Sequence, residues 1–241
     1  MAWLYLNPDL TAATTGSRVE IGGEEAKHAV SVARTRVGEQ LAIGNGRGLI
    51  VAGSVTVAEP GRLELDVDSV RDDPAPAPAI RLAQALAKGD RDELAVQAAT
   101  ELGVTGVVPW QAERSISRWE GQKAERNRAR WEAIVREASK QAIRSWVPEV
   151  APLATTAQLA SRDELILVLE PTADARLSEV DLGDAAGILL VVGPEGGVSP
   201  RELERLDEAG ALRVRLGSEV LRTSTAGPAA LAVLNARLGR W

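Results

Sequence analysis

A proline-rich run near residue 75 constrains most strongly what this chain can fold into. Residues 72–79 read DDPAPAPA. Proline at alternate positions removes backbone N–H donors and favours an extended, semi-rigid geometry, which is typical of a spacer between domains. The 241 residues are enough for two modest domains at about 100–200 residues each. We therefore predict one domain over residues 1–71, a linker over 72–79 and a second domain over 80–241.

The residues before the linker predict a small β-rich domain. Three runs have the composition of strands: Leu41–Ile43, Leu49–Val57 and Leu63–Val70. The Gly/Asn cluster over residues 44–48 separates the first two runs and predicts a hairpin turn, because these residues tolerate positive φ angles. One helix is predicted over Gly23–Val37, and it carries His28, Arg34 and Arg36.

After the linker, predicted strands and helices alternate, which favours an α/β fold with a mostly parallel sheet. The predicted strands are Ile80–Ala87, Val104–Pro109, Leu165–Glu170, Ile188–Val192 and Arg213–Leu216. The predicted helices are Arg91–Leu102, 122–146, one that begins after Ser199 and ends at Gly210, and Ala229–Leu238. Asp90 with Glu93, and Ser199 with Glu202, have the spacing of capping boxes.

Composition excludes several classes of protein. The chain has no Cys and one His, which excludes thiol catalysis, cysteine zinc sites and a cage of several His ligands, so we predict no metal. The net charge of −6 argues against a general polyanion binder. No apolar run approaches the ~18 residues of a membrane span. The first ten residues lack the pattern of a secretory signal, so we expect a cytoplasmic protein without a membrane partner.

Positive charge is nevertheless concentrated in one segment. Residues 113–144 hold nine Lys and Arg against five Glu, and such a stripe can follow the phosphates of a nucleic acid. Arg114, Arg118 and Arg144 flank predicted loops and are the better candidates, with Trp110 and Trp119 as platforms for unpaired bases. The alternative for the residues between them is a solvated helix face with Glu–Arg pairs.

Three loops leave the carboxyl ends of predicted strands, where open parallel sheets bind ligands. They are Leu169–Pro171, Gly193–Gly197 and the stretch from Leu216 to Ala226. Glu195 makes the glycine loop unsuitable for a pyrophosphate, and its spacing is not that of a P-loop. An uncharged or cationic ligand such as S-adenosylmethionine fits better. The alternative is that these glycines only make a tight turn between strand and helix.

Motifs along nearly the whole chain match, in order, those of one known family. They are His28-x-x-x-Val32-x-Arg34 with Gly38-Glu39, Lys88-Gly89-Asp90, Gln97-x-x-x-Glu101-Leu102-Gly103, Glu113-Arg114-Ser115, Gln141-x-x-Arg144-x-x-x-Pro148, Gly193-Pro194-Glu195-Gly196-Gly197, Leu216-Gly217 and Leu221-Arg222-Thr223-x-Thr225-Ala226. On these residues the chain resembles the RsmE family. One departure is Ser224, which stands where many members carry Glu.

The resemblance implies an enzyme that uses S-adenosylmethionine to methylate N3 of a uridine in small-subunit (16S) ribosomal RNA. It implies an α/β SPOUT domain with a deep trefoil knot after a PUA-like, RNA-binding domain, and a homodimer that acts on RNA in the assembled small subunit. Two alternatives stay open. One is a SPOUT methyltransferase that acts on another rRNA or tRNA base, and the other is an assembly factor that has lost catalysis.

The resemblance also implies roles for individual residues. The cofactor residues would be Leu169, Glu170, Gly193, Pro194, Glu195, Gly196, Gly197, Leu216, Gly217, Leu221, Arg222, Thr223, Ser224, Thr225 and Ala226. Arg222 and Glu195 would be catalytic, although Arg222 has the alternative of an ion pair that holds the loops. The RNA-binding residues would be His28, Arg34, Arg36, Lys88, Arg114, Arg118 and Arg144. The general base stays open among Glu101, Glu113 and Glu195.

Overall fold

The computed structural model describes residues 4–241, and their contacts divide the chain into two compact units. One unit contains the residues up to Ala75 together with Ser139–Val147, and the other contains Pro76–Ala138 and Pro148–Trp241. We predicted 139–147 in the second domain. These residues instead contact the first unit, where the indole of Trp146 donates to the carbonyl of Asp73 at 3.0 Å.

The first unit is built on a five-stranded sheet with the order β1-β3-β4-β5-β2. Its strands are β1 Leu4–Leu6, β2 Arg18–Gly22, β3 Gln40–Gly44, β4 Leu49–Glu59 and β5 Arg62–Asp72. β1 pairs with β3 in parallel, and the other pairs are antiparallel. The three strands predicted from the sequence correspond to β3, β4 and β5. Alternate residues of β2 are buried, as expected for a strand with one face on the core.

The helix predicted over Gly23–Val37 is wrong in its extent. The structure has α1 at Gly23–Lys27 and then one π-helical turn at His28–Val32. Arg34 has φ +60°, a left-handed conformation that a right-handed helix does not contain. The chain therefore leaves the helix before Arg34 and Arg36.

The second unit is a six-stranded sheet with the order β11-β9-β10-β6-β7-β8, and every pair is parallel. Its strands are β6 Ala79–Ala85, β7 Gly106–Trp110, β8 Glu149–Val150, β9 Leu165–Leu169, β10 Gly187–Val192 and β11 Leu212–Val214. Its helices are α2 Arg91–Glu101, α3 Gln122–Gln141, α4 Thr156–Ala160, α5 Pro200–Glu208 and α6 Thr223–Arg237. The last residues of α3 belong to the first unit. The predicted parallel α/β architecture is confirmed, and the knot stays a prediction.

The starts of α5 and α2 show which of the two predicted capping boxes form. Ser199 and Glu202 form the predicted capping box at the start of α5. The predicted box at Asp90 is wrong, because Asp90 has φ +57° and its side chain caps nothing. The carboxylate of Asp92, in the first turn of α2, accepts instead from the backbone N–H of Ala87, which lies before the helix, at 3.1 Å.

Two predicted helices have different bounds. α3 ends at Gln141 rather than at residue 146, and Ile143 has φ +52°. α6 starts at Thr223, six residues before the predicted Ala229. The Leu221–Ala226 motif therefore enters the first turn of a helix.

Within residues 4–241, no helix combines the length and apolar character that crossing a membrane requires. The same residues contain no group of three or more His, Asp or Glu side chains placed to hold a metal ion.

Candidate functional site

The loops that follow β9, β10 and β11 line one cavity of about 460 Å³. Because these strands are parallel and adjacent, their carboxyl ends meet at the same edge of the sheet. The volume lies in the usual range of about 300–1,000 Å³ for small-ligand sites. Most of the predicted cofactor residues line it: Leu169, Glu170, Gly193, Pro194, Glu195, Gly197, Leu216, Gly217, Leu221, Arg222, Thr223 and Ala226. Gly196, Ser224 and Thr225 do not.

The glycine loop after β10 is a tight turn with little room for side chains. A Cβ atom at Gly193 would lie 2.9 Å from Cγ2 of Val198 and 3.3 Å from its backbone nitrogen. Gly197 has φ +71° and donates its N–H to the carbonyl of Pro194 at 2.9 Å. These glycines therefore do make a tight turn, as the alternative from the sequence stated, and the same turn forms the cavity wall.

The first turn of α6 is tied to this loop. The hydroxyl of Thr223, which is buried, donates to the carbonyl of Gly193 at 2.9 Å. The backbone N–H groups of Thr225 and Ala226 donate to the carbonyl of Arg222. Two of the three predicted loops are thus joined by a hydrogen bond, although they are far apart in the sequence.

Glu195 is held by donors from two residues at the start of α2 and just before it. Its Oε1 accepts from the backbone N–H of Lys88 at 3.0 Å and from Nη1 of Arg91 at 3.1 Å, and its side chain is 23% exposed. Burial raises the pKa of this carboxyl, but hydrogen bonds from its own backbone N–H, from Lys88 and from Arg91 outweigh burial, so the pKa is lowered overall. Glu195 is therefore ionised at neutral pH and links its loop to the start of α2.

The charges around the cavity are balanced, but they are not all paired. Its carboxylates are those of Glu170, Glu195 and Glu219, and its cations are those of Arg91, Arg215 and Arg222. Arg91 pairs with Glu195. Arg222 is exposed and forms no ion pair with any residue between 4 and 241. The alternative that Arg222 holds the loops through an ion pair is therefore not supported.

The cavity suits S-adenosylmethionine chemically. Its wall combines apolar side chains, such as Leu169, Val192 and Leu216, with backbone groups of the glycine loop. Apolar walls with a few fixed polar groups are typical of sites for small organic ligands.

Two predicted RNA-binding residues, Lys88 and Arg114, contact the glycine loop, and a third, Arg118, contacts the segment that carries Arg114. Lys88 is exposed, and its backbone contacts Glu195. Arg114 is exposed, and its Nη1 donates to the carbonyl of Gly196 at 3.0 Å. Arg118 donates to the carbonyl of Glu113 at 3.2 Å. The guanidinium of Arg114 is therefore the basic group that directly contacts the glycine loop.

The other four predicted RNA-binding residues belong to the first unit. His28, Arg34 and Arg36 are exposed, and the His28 ring lies 6.2 Å from that of Tyr5. Arg144 is only half exposed, and burial lowers its pKa to about 10. Arg144 stays protonated at neutral pH but is less accessible than a surface cation.

The prediction that two tryptophans stack on RNA is wrong. Trp110 is fully buried, and its indole N–H donates to Thr156 at 3.3 Å. Trp119 is 6% exposed and packs edge-on against Trp131 at a centroid distance of 5.1 Å. Both side chains are part of the packed interior.

The sequence missed several residues of the cavity wall. Arg215 lines it and stands directly before the predicted stretch from Leu216 to Ala226, so its position in the chain was a usable signal. Glu219 and Val220 also line it and lie within that stretch, although neither was named as a cofactor residue. Arg91 also lines it, but this residue stands about 100 positions away from its partner in the sequence, and no local pattern pointed to it.

Comparison with known proteins agrees with this geometry. A family model described as RNA methyltransferase domain matches residues 74–235, and one described as RNA methyltransferase PUA domain matches residues 21–68. A protein of Mycobacterium bovis named Ribosomal RNA small subunit methyltransferase E is 39% identical over 238 residues, covering 96% of this chain and 91% of that protein. The chain belongs to the methyltransferase E family.

Other members resemble it in sequence and in structure. The Bacillus subtilis protein of the same name is 31% identical and covers 89% of this chain and 88% of its own. A crystal structure from Neisseria gonorrhoeae, bound to S-adenosyl methionine, has a TM-score of 0.87 at 28% identity and covers 98% of both chains. A Legionella pneumophila structure in complex with the same cofactor also has a TM-score of 0.87, at 30% identity and 98% coverage of both chains.

Family membership, fold class and the class of enzyme are therefore confirmed. The chain is an RNA methyltransferase with an α/β domain and a β-rich PUA domain. The cofactor predicted from the cavity is the molecule bound in the two related structures.

Proposed function

We propose that this protein transfers the methyl group of S-adenosylmethionine to N3 of a uridine in 16S ribosomal RNA. The observation that carries the proposal is the meeting of the three motif loops at one cavity. The cofactor supplies a methyl group made electrophilic by a sulfonium. This chain supplies the walls that hold it and the charges that orient the RNA.

The cofactor residues act mainly through the main chain. The backbone of 193–197, 216–217 and 221–226 would hold the adenosyl group, and the apolar side chains of Leu169, Leu216 and Leu221 would cover it. Of the fifteen residues predicted from the resemblance, Gly196, Ser224 and Thr225 would act behind the wall, since they do not line it.

We assign Arg222 the catalytic role. Its guanidinium is a cation without an ion-pair partner among residues 4–241 and lies at the rim of the cavity. A fixed positive charge stabilises negative charge that develops as uridine N3 loses its proton, and it can bind an RNA phosphate.

Replacing Arg222 by Ala should lower the methylation rate by about 10- to 100-fold, because a hydrogen bond to a charged group contributes about 1.5–3 kcal/mol. Cofactor affinity should change by less than about threefold, since the backbone of 221–226, which would hold the adenosyl group, is kept in the variant. Single-turnover methylation of 16S RNA measures the rate. Arg205→Ala is the matched control, because Arg205 is an exposed arginine outside the cavity. Equal rates for the two variants would contradict the assignment.

Glu195 fits a positioning role better than that of the general base. Among Glu101, Glu113 and Glu195, it alone lines the cavity. Its lowered pKa makes it a weak proton acceptor, and its Oε1 is already engaged by Lys88 and Arg91. We propose that Glu195 orders the glycine loop, and that its catalytic effect comes through this loop.

The Glu195→Gln variant should lose about 1 kcal/mol of stability at neutral pH, because it loses a charge-assisted hydrogen bond. The lowered pKa of Glu195 in the fold means that this stabilisation is present above the unfolded value near 4.5. It is lost as the pH falls through the folded pKa. Urea unfolding of both proteins should therefore show a difference at pH ~7 that shrinks and is lost in acid, as the pH falls through the lowered pKa of Glu195. A difference that persists in acid would contradict this role.

We propose that RNA is bound by basic residues of both units. Lys88 and Arg114 contact the glycine loop, and Arg118 is exposed near Arg114 in the sequence. His28, Arg34 and Arg36 are exposed on the PUA unit. Arg144, being half-buried, would contribute less. We also propose that the protein is a homodimer, that its substrate is the assembled small subunit, and that it acts in the cytoplasm.

Two measurements test the function as a whole. Calorimetric titration should show binding of S-adenosylmethionine, and no binding at millimolar cofactor would leave only an inert assembly factor. Nucleoside analysis of 16S RNA from cells without the gene should show that 3-methyluridine is lost. If this nucleoside persists while another methylated base disappears, the enzyme acts on a different target.

A further inference from the structure

The amide of Gln84 lies inside the apolar core of the second unit. Gln84 is fully buried in β6, a central strand between β10 and β7. Its neighbours Leu82, Ala83 and Ala85 are also fully buried. Burial of an amide is costly unless it is hydrogen-bonded, and an aliphatic side chain would fill the same space at lower cost. Gln84 does not line the cavity.

The hydrogen bonds of Gln84 lead to the cavity wall. Its Nε2 donates to Oγ1 of Thr223 at 2.8 Å and to the carbonyl of Ala85 at 3.2 Å. The hydroxyl of Thr223 donates to the carbonyl of Gly193 at 2.9 Å. Gln84, Thr223 and Gly193 thus form one hydrogen-bonded chain. It joins the core strand, the first turn of α6 and the glycine loop.

The carbonyl of Gly193 fixes which groups donate and which accept along this hydrogen-bonded chain. A carbonyl only accepts, so Thr223 must donate its single hydroxyl proton to the hydrogen bond with Gly193. The oxygen of Thr223 must then accept from Gln84, and only the NH₂ end of the amide can donate. Oε1 of Gln84 has no hydrogen-bond partner among residues 4–241, so the amide is oriented by Thr223 and Ala85 alone.

We infer that Gln84 is a positioning residue for the cofactor cavity: it orients the hydroxyl of Thr223 so that this hydroxyl fixes the carbonyl of Gly193. The inference rests on the proposed binding of S-adenosylmethionine in this cavity. Two parts of the wall, Gly193 and the start of α6, are held in place before the ligand binds. Preorganisation of this kind strengthens binding because less conformational freedom is lost on association.

The first test removes the donor and keeps the volume. Gln84→Met should weaken S-adenosylmethionine binding by about tenfold, the effect of losing roughly 1.4 kcal/mol. Thr223→Val should have a similar effect. The double variant should be no weaker than the worse single variant, because both changes break the same chain. Calorimetry gives the dissociation constants, and thermal unfolding without cofactor gives the stability of each variant.

The second test replaces the hydrogen-bond donor at position 84 by a group that can become an acceptor only. Glu at position 84 can donate to Thr223 only while its carboxyl is protonated, and burial raises the pKa of a carboxyl. Once ionised, it can only accept, and it would draw the Thr223 proton away from Gly193. Gln84→Glu should therefore bind the cofactor within about threefold of the parent protein at pH ~5.5 and about tenfold more weakly at pH ~8.5. The parent protein measured at both pH values is the control.

Each outcome decides the inference. Loss of affinity in the Met variant, without additivity to Thr223→Val and with restoration in the protonated Glu variant, supports it. A Met variant that is less stable but binds the cofactor like the parent protein overturns it, because Gln84 would then serve the fold alone. A Glu variant as weak as the Met variant at both pH values also overturns it. Absence of binding by the parent protein would instead refute the proposed function.

Discussion

Replacing Gly193 by Ala is expected to weaken S-adenosylmethionine binding by about 10- to 100-fold. The new Cβ atom would lie 2.9 Å from Cγ2 of Val198 and 3.3 Å from its backbone nitrogen. The Val198 side chain must therefore shift, and because the second of these atoms belongs to the main chain, the turn over 193–198 must also give by a few tenths of an ångström. Overpacking of this kind costs about 1–3 kcal/mol, and here it falls on the wall of the cavity.

The same loop provides the control. A Cβ atom at Gly196 would meet only Cβ of Arg114 at 3.4 Å and atoms farther away, and Gly196 does not line the cavity. Gly196→Ala should therefore bind the cofactor within about threefold of the parent protein. Calorimetric dissociation constants compare the two variants. Equal losses would show that the loop tolerates no side chain anywhere, and the argument from Val198 would fail.

Local signals predicted the parts of the fold that depend on local chemistry. Ser199 and Glu202 form their capping box because both partners lie within one turn. The loops after β9 and β10 converge because parallel strands place their carboxyl ends at one edge. That rule needs only the type of sheet, which the alternation of strands and helices already indicated, so the cavity could be located from the sequence.

Several predictions were wrong because the position of the residue depends on contacts that its local sequence pattern does not contain. Asp90 has the spacing of a cap, but Asp92 is the residue that reaches the N–H of Ala87. Trp119 stands among arginines and resembles a stacking platform, yet it packs against Trp131. The segment 139–147 continues a predicted helix but belongs to the first unit. In each case the partner lies outside the pattern that suggested the prediction.

In the site, single residues could be predicted from their motifs, but their contacts could not. Thr223 was predicted from its motif, but its link to Gln84 joins residues 139 positions apart. The pairing of Glu195 with Arg91 spans 104 positions. Neither pair has a sequence spacing that signals contact. The motif residues could be named in advance, whereas the residues that hold them in place needed the structure.

Replacing Gly53 by Ala should unfold the β-rich unit and leave the cofactor site intact. Gly53 lies in β4 beside a register shift in its pairing with β5. A Cβ atom there would lie 2.0 Å from the carbonyl oxygen of Asp66 and 2.9 Å from its carbonyl carbon. Both atoms are backbone atoms of the neighbouring strand, so the two strands must separate. We expect a loss of more than about 4 kcal/mol, a large part of the 5–15 kcal/mol that usually stabilises a domain.

Gly22→Ala is the matched control, because Gly22 ends a strand of the same sheet with its nearest neighbour, the carbonyl of Gly61, at 3.6 Å. Hydrogen exchange should show lost protection in β4 and β5 of the Gly53 variant only. Its affinity for 16S RNA should fall by more than about tenfold, while its affinity for S-adenosylmethionine should stay within about twofold. This separation follows because every residue that lines the cofactor cavity belongs to the second unit. If cofactor binding were lost together with RNA binding, the cavity would depend on the β-rich unit, and the assignment of the cofactor site to the second unit alone would be wrong.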